Sequence, residues 1–101
     1  MRRRQMSKAA SERVHAKHRA YERHGVKFNR HDLRAIALDI RNGNARFLGR
    51  QSNRVSSFEV YYRGEKYNAV YDSVRHTIVT FLTDEMLRKK SWYVPPSLEE
   101  E

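Results

Sequence analysis

Histidine and arginine residues recur near the start of the chain at a spacing that could serve acid–base chemistry on a phosphate group. His15, Arg19 and Arg23 follow one another at intervals of four residues, so a helix would place them along one side. Imidazole can transfer a proton near neutral pH, and a guanidinium can stabilise charge on a phosphate. These residue types favour metal-free cleavage of a phosphodiester over other enzymatic chemistries.

Other kinds of catalytic or metal site are not indicated. His15 with His18 or His24 is the obvious histidine cluster, but the chain has no cysteine and no carboxylate at helical spacing beside these histidines. A third ligand of the usual kind is therefore not visible. The sequence also contains no glycine-rich phosphate loop and no nucleophile elbow. We expect neither a metal nor a cofactor.

The distribution of charge points to a polyanionic partner. The 101 residues carry a net charge of +9. Residues 1–31 hold ten Lys and Arg against Glu12 and Glu22, a local charge of +8, whereas the remainder holds eleven basic against ten acidic residues. Clustered Lys and Arg favour nucleic acid, most simply RNA, although a basic helix could also serve only solubility. The candidate phosphate contacts are Arg2, Arg3, Arg4, Lys8, Arg13, Lys17, Arg23, Arg46, Arg50 and Arg54.

Composition also bears on location. The apolar runs are far shorter than the roughly 20 residues needed to cross a bilayer, and no signal segment opens the chain. The lack of cysteine favours a reducing compartment. We therefore expect a cytoplasmic protein without a membrane partner.

Two helices are predicted in the N-terminal half, after a basic arm at residues 1–6. Ser7 or Ser11 can cap the first, which ends at Gly25 and has an apolar stripe of Ala9, Ala10, Val14, Ala20 and Tyr21. Asn29 caps the second, with Asp32 in capping-box position. Its stripe contains Leu33, Ile36, Ala37 and Ile40, and Asn42-Gly43-Asn44 ends it.

Alternating β-branched and aromatic residues predict four antiparallel strands, at residues 45–50, 55–62, 66–72 and 77–82. A short helix should follow Thr83, with Trp92, Tyr93 and Val94 docking on the body as an apolar clip. The expected fold is α+β, two N-terminal helices packed on a four-stranded antiparallel sheet in one domain at residues 7–94, with a disordered tail at 95–101. One core should bury Leu33, Ile36, Ile40, Phe58, Val60, Val79 and Phe81 together.

Several short motifs resemble a known group of domains. His15-Ala16, Arg19, Glu22-Arg23 and Gly25-Val26 are similar to the pattern HA-x-x-R-x-x-ER-x-G that opens a family of small bacterial and phage domains of uncertain function. The later residues 67–72, Arg75 and 78–80 resemble the strand, turn and strand with which those domains finish. Motif order and element order over residues 13–83 are similar to the superfamily of compact ribonucleases that contains barnase, EndoU, the tRNase colicins and the RelE toxins.

This resemblance implies roles for particular residues. His15 would be the general base or acid and Arg19 would bind the scissile phosphate, with Arg23 in support. Tyr71 and Thr80 would be the partners on the strands. The alternatives are that Tyr71 is a core residue, that Thr80 is only a β-former, and that His15 is a solvated helix residue.

Two functions follow as hypotheses. The first is a metal-independent ribonuclease or toxin-like domain that cuts RNA through the 2′-hydroxyl and that a protein partner could neutralise. The second is a small basic protein without catalysis, for example a phage host-takeover or regulatory protein, which binds nucleic acid or a host protein. Members of the ribonuclease superfamily can lose catalysis, so the fold alone does not decide between them.

Overall fold

A computed structural model describes residues 7–95 and contains three helices and four strands within that range. In chain order the elements are α1 (Lys8–His24), α2 (Arg30–Arg41), β1 (Arg46–Arg50), β2 (Val55–Tyr62), β3 (Glu65–Asp72), β4 (Thr77–Leu82) and α3 (Asp84–Arg88). The strands form one antiparallel sheet in the order β1-β2-β3-β4. The predicted α+β architecture is confirmed. The basic arm with Arg2, Arg3 and Arg4, and the tail from residue 96, lie outside the described residues.

The ends of α1 and α2 follow from local side-chain chemistry. Ser7 caps α1 by accepting a hydrogen bond from the Ala10 amide at 3.0 Å, and Gly25 ends it in a left-handed conformation. Asn29 and Asp32 form a reciprocal capping box at the start of α2, with bonds of 2.8 and 2.9 Å. Both predicted helices are therefore present, and the choice between Ser7 and Ser11 falls on Ser7.

The apolar stripe predicted for α1 is wrong in part. Val14 and Tyr21 are 37% and 57% exposed, whereas Ala16 and Ala20 are fully buried. Residues 16 and 20 lie one turn apart on the same side of the helix, and their small side chains let α1 pack closely on β4. The predicted stripe weighted residue size above position, and its larger members face away from the sheet.

The β2–β3 turn is a two-residue hairpin, as the sequence predicts. Arg63 and Gly64 both have positive φ, at 54° and 81°. Two such residues in succession fit a type I′ turn, whose twist matches that of the flanking strands. Tyr62 therefore pairs directly with Glu65, and the register continues through Val55 and Asp72.

The sheet separates two apolar layers. The first packs α1 and α2 on the sheet and includes Leu33, Ile36, Ile40, Val60 and Phe81, with Phe58 partly buried against it. The second lies on the other side of the sheet and contains Leu48, Val70, Leu82 and Leu87.

Val79 belongs to the second layer and not to the first, which corrects the prediction of one common core. Ile78 and Phe81 both face the first layer although they are three residues apart. Strict alternation would place them on opposite faces, but a register irregularity opposite Val70 and Tyr71 interrupts it.

The segment after α3 packs on β1. The Val94 amide donates to the Leu48 carbonyl at 2.8 Å, and Trp92 lies directly against Gly49. A Cβ atom at position 49 would stand 2.3 Å from the Trp92 carbonyl oxygen, so only glycine fits there. Trp92 and Tyr93 also pack against the second layer, in agreement with the predicted clip.

Candidate nucleic-acid interface

The four residues to which the resemblance assigns catalysis do not share a cleft. His15 is exposed on α1, and Arg19 forms an ion pair with Glu22 at 2.6 Å. Tyr71 is buried beneath the helices. Thr80 pairs with Val70 of the second layer, so it faces the opposite side of the sheet from Tyr71. Strand alternation therefore separates the two predicted strand partners.

Several predicted phosphate contacts have structural partners instead. Arg23 donates to the Phe81 carbonyl at 2.8 Å, and Arg50 donates to the carbonyls of Ser52 and Asn53. Arg54 pairs with Asp72 at 3.0 Å. The remaining candidates in the described range are Lys8, which is exposed, and Arg13, Lys17 and Arg46, which are half-buried.

A buried carboxylate holds the turn between β3 and β4. Asp72 is fully buried, and its Oδ1 accepts the amides of Val74 and Arg75 at 2.9 and 3.0 Å. Its Oδ2 accepts the guanidiniums of Arg54 and Arg75 at 3.0 and 3.1 Å. Four donors on one carboxylate fix the path of the turn in space.

Helix α1 is attached to the same turn through Glu12. Its carboxylate accepts the Thr77 hydroxyl and lies 3.4 Å from the Arg75 guanidinium. Burial raises the pKa of Glu12, and the nearby negative charge of Asp72 raises it further, although the bond from Thr77 acts in the opposite direction. The turn is therefore fixed from two sides, by the sheet and by α1.

This fixed turn presents His76. The residue has a φ of 56°, a left-handed conformation that is uncommon outside glycine and is most often found at turns and functional sites. Its Nδ1 lies 3.1 Å from the Tyr71 hydroxyl. Burial raises the pKa of Tyr71, so the phenol stays protonated at neutral pH and can serve as the hydrogen-bond partner of the imidazole.

A cleft of about 430 Å³ lies between α2 and His76. Its α2 wall carries side chains at helical spacing, so they line one face: His31, Arg34, Ala35, Ala37, Leu38 and Arg41. A smaller adjoining recess shares Arg34, Ala37 and His76 with the cleft and adds Arg13. The lining of both cavities contains arginine and histidine and no acidic residue.

The two arginines of the cleft are not neutralised by the protein. Within residues 7–95, neither Arg34 nor Arg41 forms an ion pair or a side-chain hydrogen bond. Guanidinium groups present a planar set of donors that matches a phosphate in a two-point contact. An arrangement of two unpaired arginines and two imidazoles without a carboxylate is suited to an anion.

Sequence reasoning missed four of these residues: His31, Arg34, Arg41 and His76. The signal for the first three was present, since residues 31, 34, 38 and 41 recur every three or four positions opposite the apolar stripe of α2. No comparable signal marked His76. It reaches the cleft only because the β3–β4 turn folds it towards Tyr71.

Metal and membrane functions find no site in the described part of the chain. No three His, Cys, Asp or Glu side chains among residues 7–95 are grouped so that they could hold a metal ion. In the same range, no helix has the length and apolarity to cross a bilayer.

Comparisons with protein-family models, with curated proteins and with solved structures find no match for this chain. The similarity to compact ribonucleases therefore stays a prediction from motifs. The arguments about function rest on the geometry of the cleft.

Proposed function

We propose that this protein binds nucleic acid, with RNA as the expected ligand, and that the cleft between α2 and His76 receives the phosphate backbone. The observation that carries the proposal is the pair of unneutralised arginines, Arg34 and Arg41, in a concave site without an acidic residue. Phosphate contacts of this kind supply most of the affinity of non-specific nucleic-acid binding. RNA is favoured over DNA because it is the substrate of the ribonucleases that the sequence resembles.

The charge of the cleft is continuous with that of neighbouring residues. Arg13 lines the adjoining recess, which extends the cleft towards α1. The N-terminal 31 residues carry most of the net positive charge of the chain. A strand held in the cleft would therefore meet further cations along α1, and an arm at Arg2, Arg3 and Arg4 could add contacts of its own.

The test is the salt dependence of binding to a fluorescently labelled single-stranded RNA. The double variant Arg34→Ala/Arg41→Ala should bind more weakly, and the slope of log K against log salt should fall by about two units, one for each lost phosphate contact. A DNA strand of the same sequence shows whether the binding prefers RNA.

The matched control is Lys89→Ala/Lys90→Ala, which removes the same formal charge from exposed positions just after α3. It should leave the slope nearly unchanged. Equal losses in the two double variants would mean that binding depends on net charge and not on the cleft. An unchanged slope in the cleft variant would rule out the cleft as the phosphate site.

The same cleft favours a second candidate function, metal-independent cleavage of RNA, because two imidazoles line it from different elements. His31 comes from α2, and His76 is held by its contact with Tyr71. In such a reaction the 2′-oxygen bonds to phosphorus as the bond from phosphorus to the 5′-oxygen breaks. One imidazole would take the 2′-hydroxyl proton and the other would protonate the leaving 5′-oxygen, which gives a 2′,3′-cyclic phosphate.

Cleavage is tested with purified protein and single-stranded RNA in the presence of a chelator. His31→Ala or His76→Ala should abolish product formation while RNA binding is mostly retained, because the arginines remain. His15→Ala is the control, and it should have full activity if the cleft is the active site. Loss of activity only in His15→Ala would return catalysis to α1, and absence of cleavage by the native chain would leave binding as the function.

A further inference from the structure

Three aromatic residues lie in a row across the helix side of the sheet. Phe47 of β1 contacts Phe58 of β2 with ring centroids 5.8 Å apart, and Phe58 contacts Tyr71 of β3 at 6.4 Å. Both contacts are edge-to-face, with interplanar angles of 71° and 76°. The row therefore runs from the outermost strand towards the middle of the sheet.

The row changes from buried to exposed along its length. Tyr71 is buried, Phe58 is half-buried and Phe47 is 45% exposed. Since β1 is the last strand of the sheet, no further strand covers Phe47 on its outer side. The contact with Phe58 holds the exposed ring in place, so the residue presents an aromatic surface with little freedom left to lose.

The row meets the phosphate cleft at Tyr71. The Tyr71 hydroxyl contacts His76, which lines the cleft. Arg41 lines the cleft as well, and its charge acts on the Tyr71 phenol by lowering its pKa against the larger effect of burial. The cationic and aromatic surfaces are thus neighbours on one side of the molecule.

We propose that Phe47 stacks against a nucleobase of a single strand whose phosphates occupy the cleft. This inference rests on the proposed binding of nucleic acid and names the ligand class as unpaired strands. Every base offers a flat face to an aromatic ring, and only an unpaired strand can turn that face outwards. Cations along the backbone and an aromatic ring for the bases are the two components of single-strand binding surfaces.

The experiment compares substitutions at Phe47 by affinity for a short oligouridylate. Phe47→Ala should weaken binding roughly 5- to 150-fold, which is the range for loss of one base–aromatic stack. Phe47→Leu keeps an apolar contact with Phe58 but lacks a ring, so it should lose a similar factor. Phe47→Tyr should bind nearly as the native chain does.

Tyr61 supplies a matched control, because it is 66% exposed on the same sheet. It alternates with Val60 and Tyr62, which pack in the first layer, so it faces the other side. Tyr61→Ala should leave the affinity unchanged. An abasic oligomer of the same length should bind the native chain and Phe47→Leu equally, since it has no base to stack.

Two results would overturn the inference. One is native affinity for oligouridylate in Phe47→Leu, with its fold verified by thermal melting. The other is an equal loss for the abasic oligomer, which would mean that the substitution disturbs the cleft. If Phe47→Leu binds normally while Arg34→Ala/Arg41→Ala binds weakly, only stacking fails. If the arginine variant also binds normally, the proposed function fails with it.

Discussion

The two sides of the sheet differ in how their charges are used. On the α3 side, Lys66 pairs with Glu59 and Asp84 at 3.7 and 3.3 Å, and Lys89 pairs with Glu85 at 3.6 Å. On the α2 side, Arg34 and Arg41 face a cleft without a carboxylate. The protein thus neutralises cations where a short helix covers the sheet and leaves them unpaired where a concave surface is open. Unpaired cations cost solvation little in the open, and they stay available for phosphates.

The largest expected effect tests whether the two apolar layers contribute equally to stability. Ile36→Ala in the first layer should lower the free energy of unfolding by about 2–5 kcal/mol, because the side chain is fully buried and leaves a cavity. Leu87→Ala in the second layer should cost less, since the five-residue α3 can shift to fill the space. Urea denaturation of both variants measures the difference. Equal losses would mean that α3 is held as rigidly as α2.

A smaller effect is expected from the carboxylates that organise each side. Asp72→Ala should cost about 2–3 kcal/mol, because it leaves two amides and two guanidiniums without their acceptor. Asp84→Ala should cost about 1 kcal/mol or less, since Asp84 is exposed on the α3 side. Only Asp72→Ala should also weaken RNA binding, through His76. A loss of affinity in Asp84→Ala would contradict the separation of the two sides.

Asp32 makes the stability of the helix side depend on pH. It is buried and accepts the Tyr62 hydroxyl at 2.6 Å and the Asn29 amide at 2.8 Å, with Arg63 at 3.1 Å. Burial alone would raise the pKa of Asp32, but these partners together lower it below the ordinary carboxyl value. The folded state therefore binds the proton less readily than the unfolded chain does, and the stabilisation is present above the unfolded pKa.

Asp32→Asn should lower the free energy of unfolding by about 1–2 kcal/mol at neutral pH, through loss of a charged cap and of a charge-assisted hydrogen bond. The difference between native chain and variant should shrink as the pH falls below about 4 and through the lowered native pKa. Urea titrations at several pH values measure it. A difference that grows on acidification would contradict the assigned direction of the pKa shift.

The smallest effect sharpens the comparison of paired with unpaired charge. Leu38 is 53% exposed in the cleft, four residues after Arg34 and three before Arg41. Leu38→Glu should form ion pairs of about 0.3–0.5 kcal/mol with each arginine and so weaken RNA binding up to roughly fivefold. Stability should hardly change. Tyr61→Glu on the other side is the control, and an equal loss there would point to net charge alone.

The elements were predictable because their signals are local. Ser7, Asn29 and Thr83 cap the three helices as the sequence indicates, and all four predicted strands match to within one residue at each end. Each signal lies within a few residues of the element that it defines.

The cleft was less predictable because it depends on distant contacts. His76 reaches it through a turn held by Glu12 and Arg54, which are far from it in sequence. Similarly, Ala16 and Ala20 are buried because β4 lies above them, and their small size gave no sign of this. Long-range packing decides which of several basic helix faces becomes concave.

The contacts at the two outer strands bear on how this protein would behave at high concentration. β1 gives its Leu48 carbonyl to Val94 and lies against Trp92 through Gly49, and β4 gives its Phe81 carbonyl to Arg23. A strand from another molecule would find these backbone positions already occupied. Edge-to-edge growth of the sheet into aggregates is thus hindered at both ends, by the C-terminal segment at one and by α1 at the other.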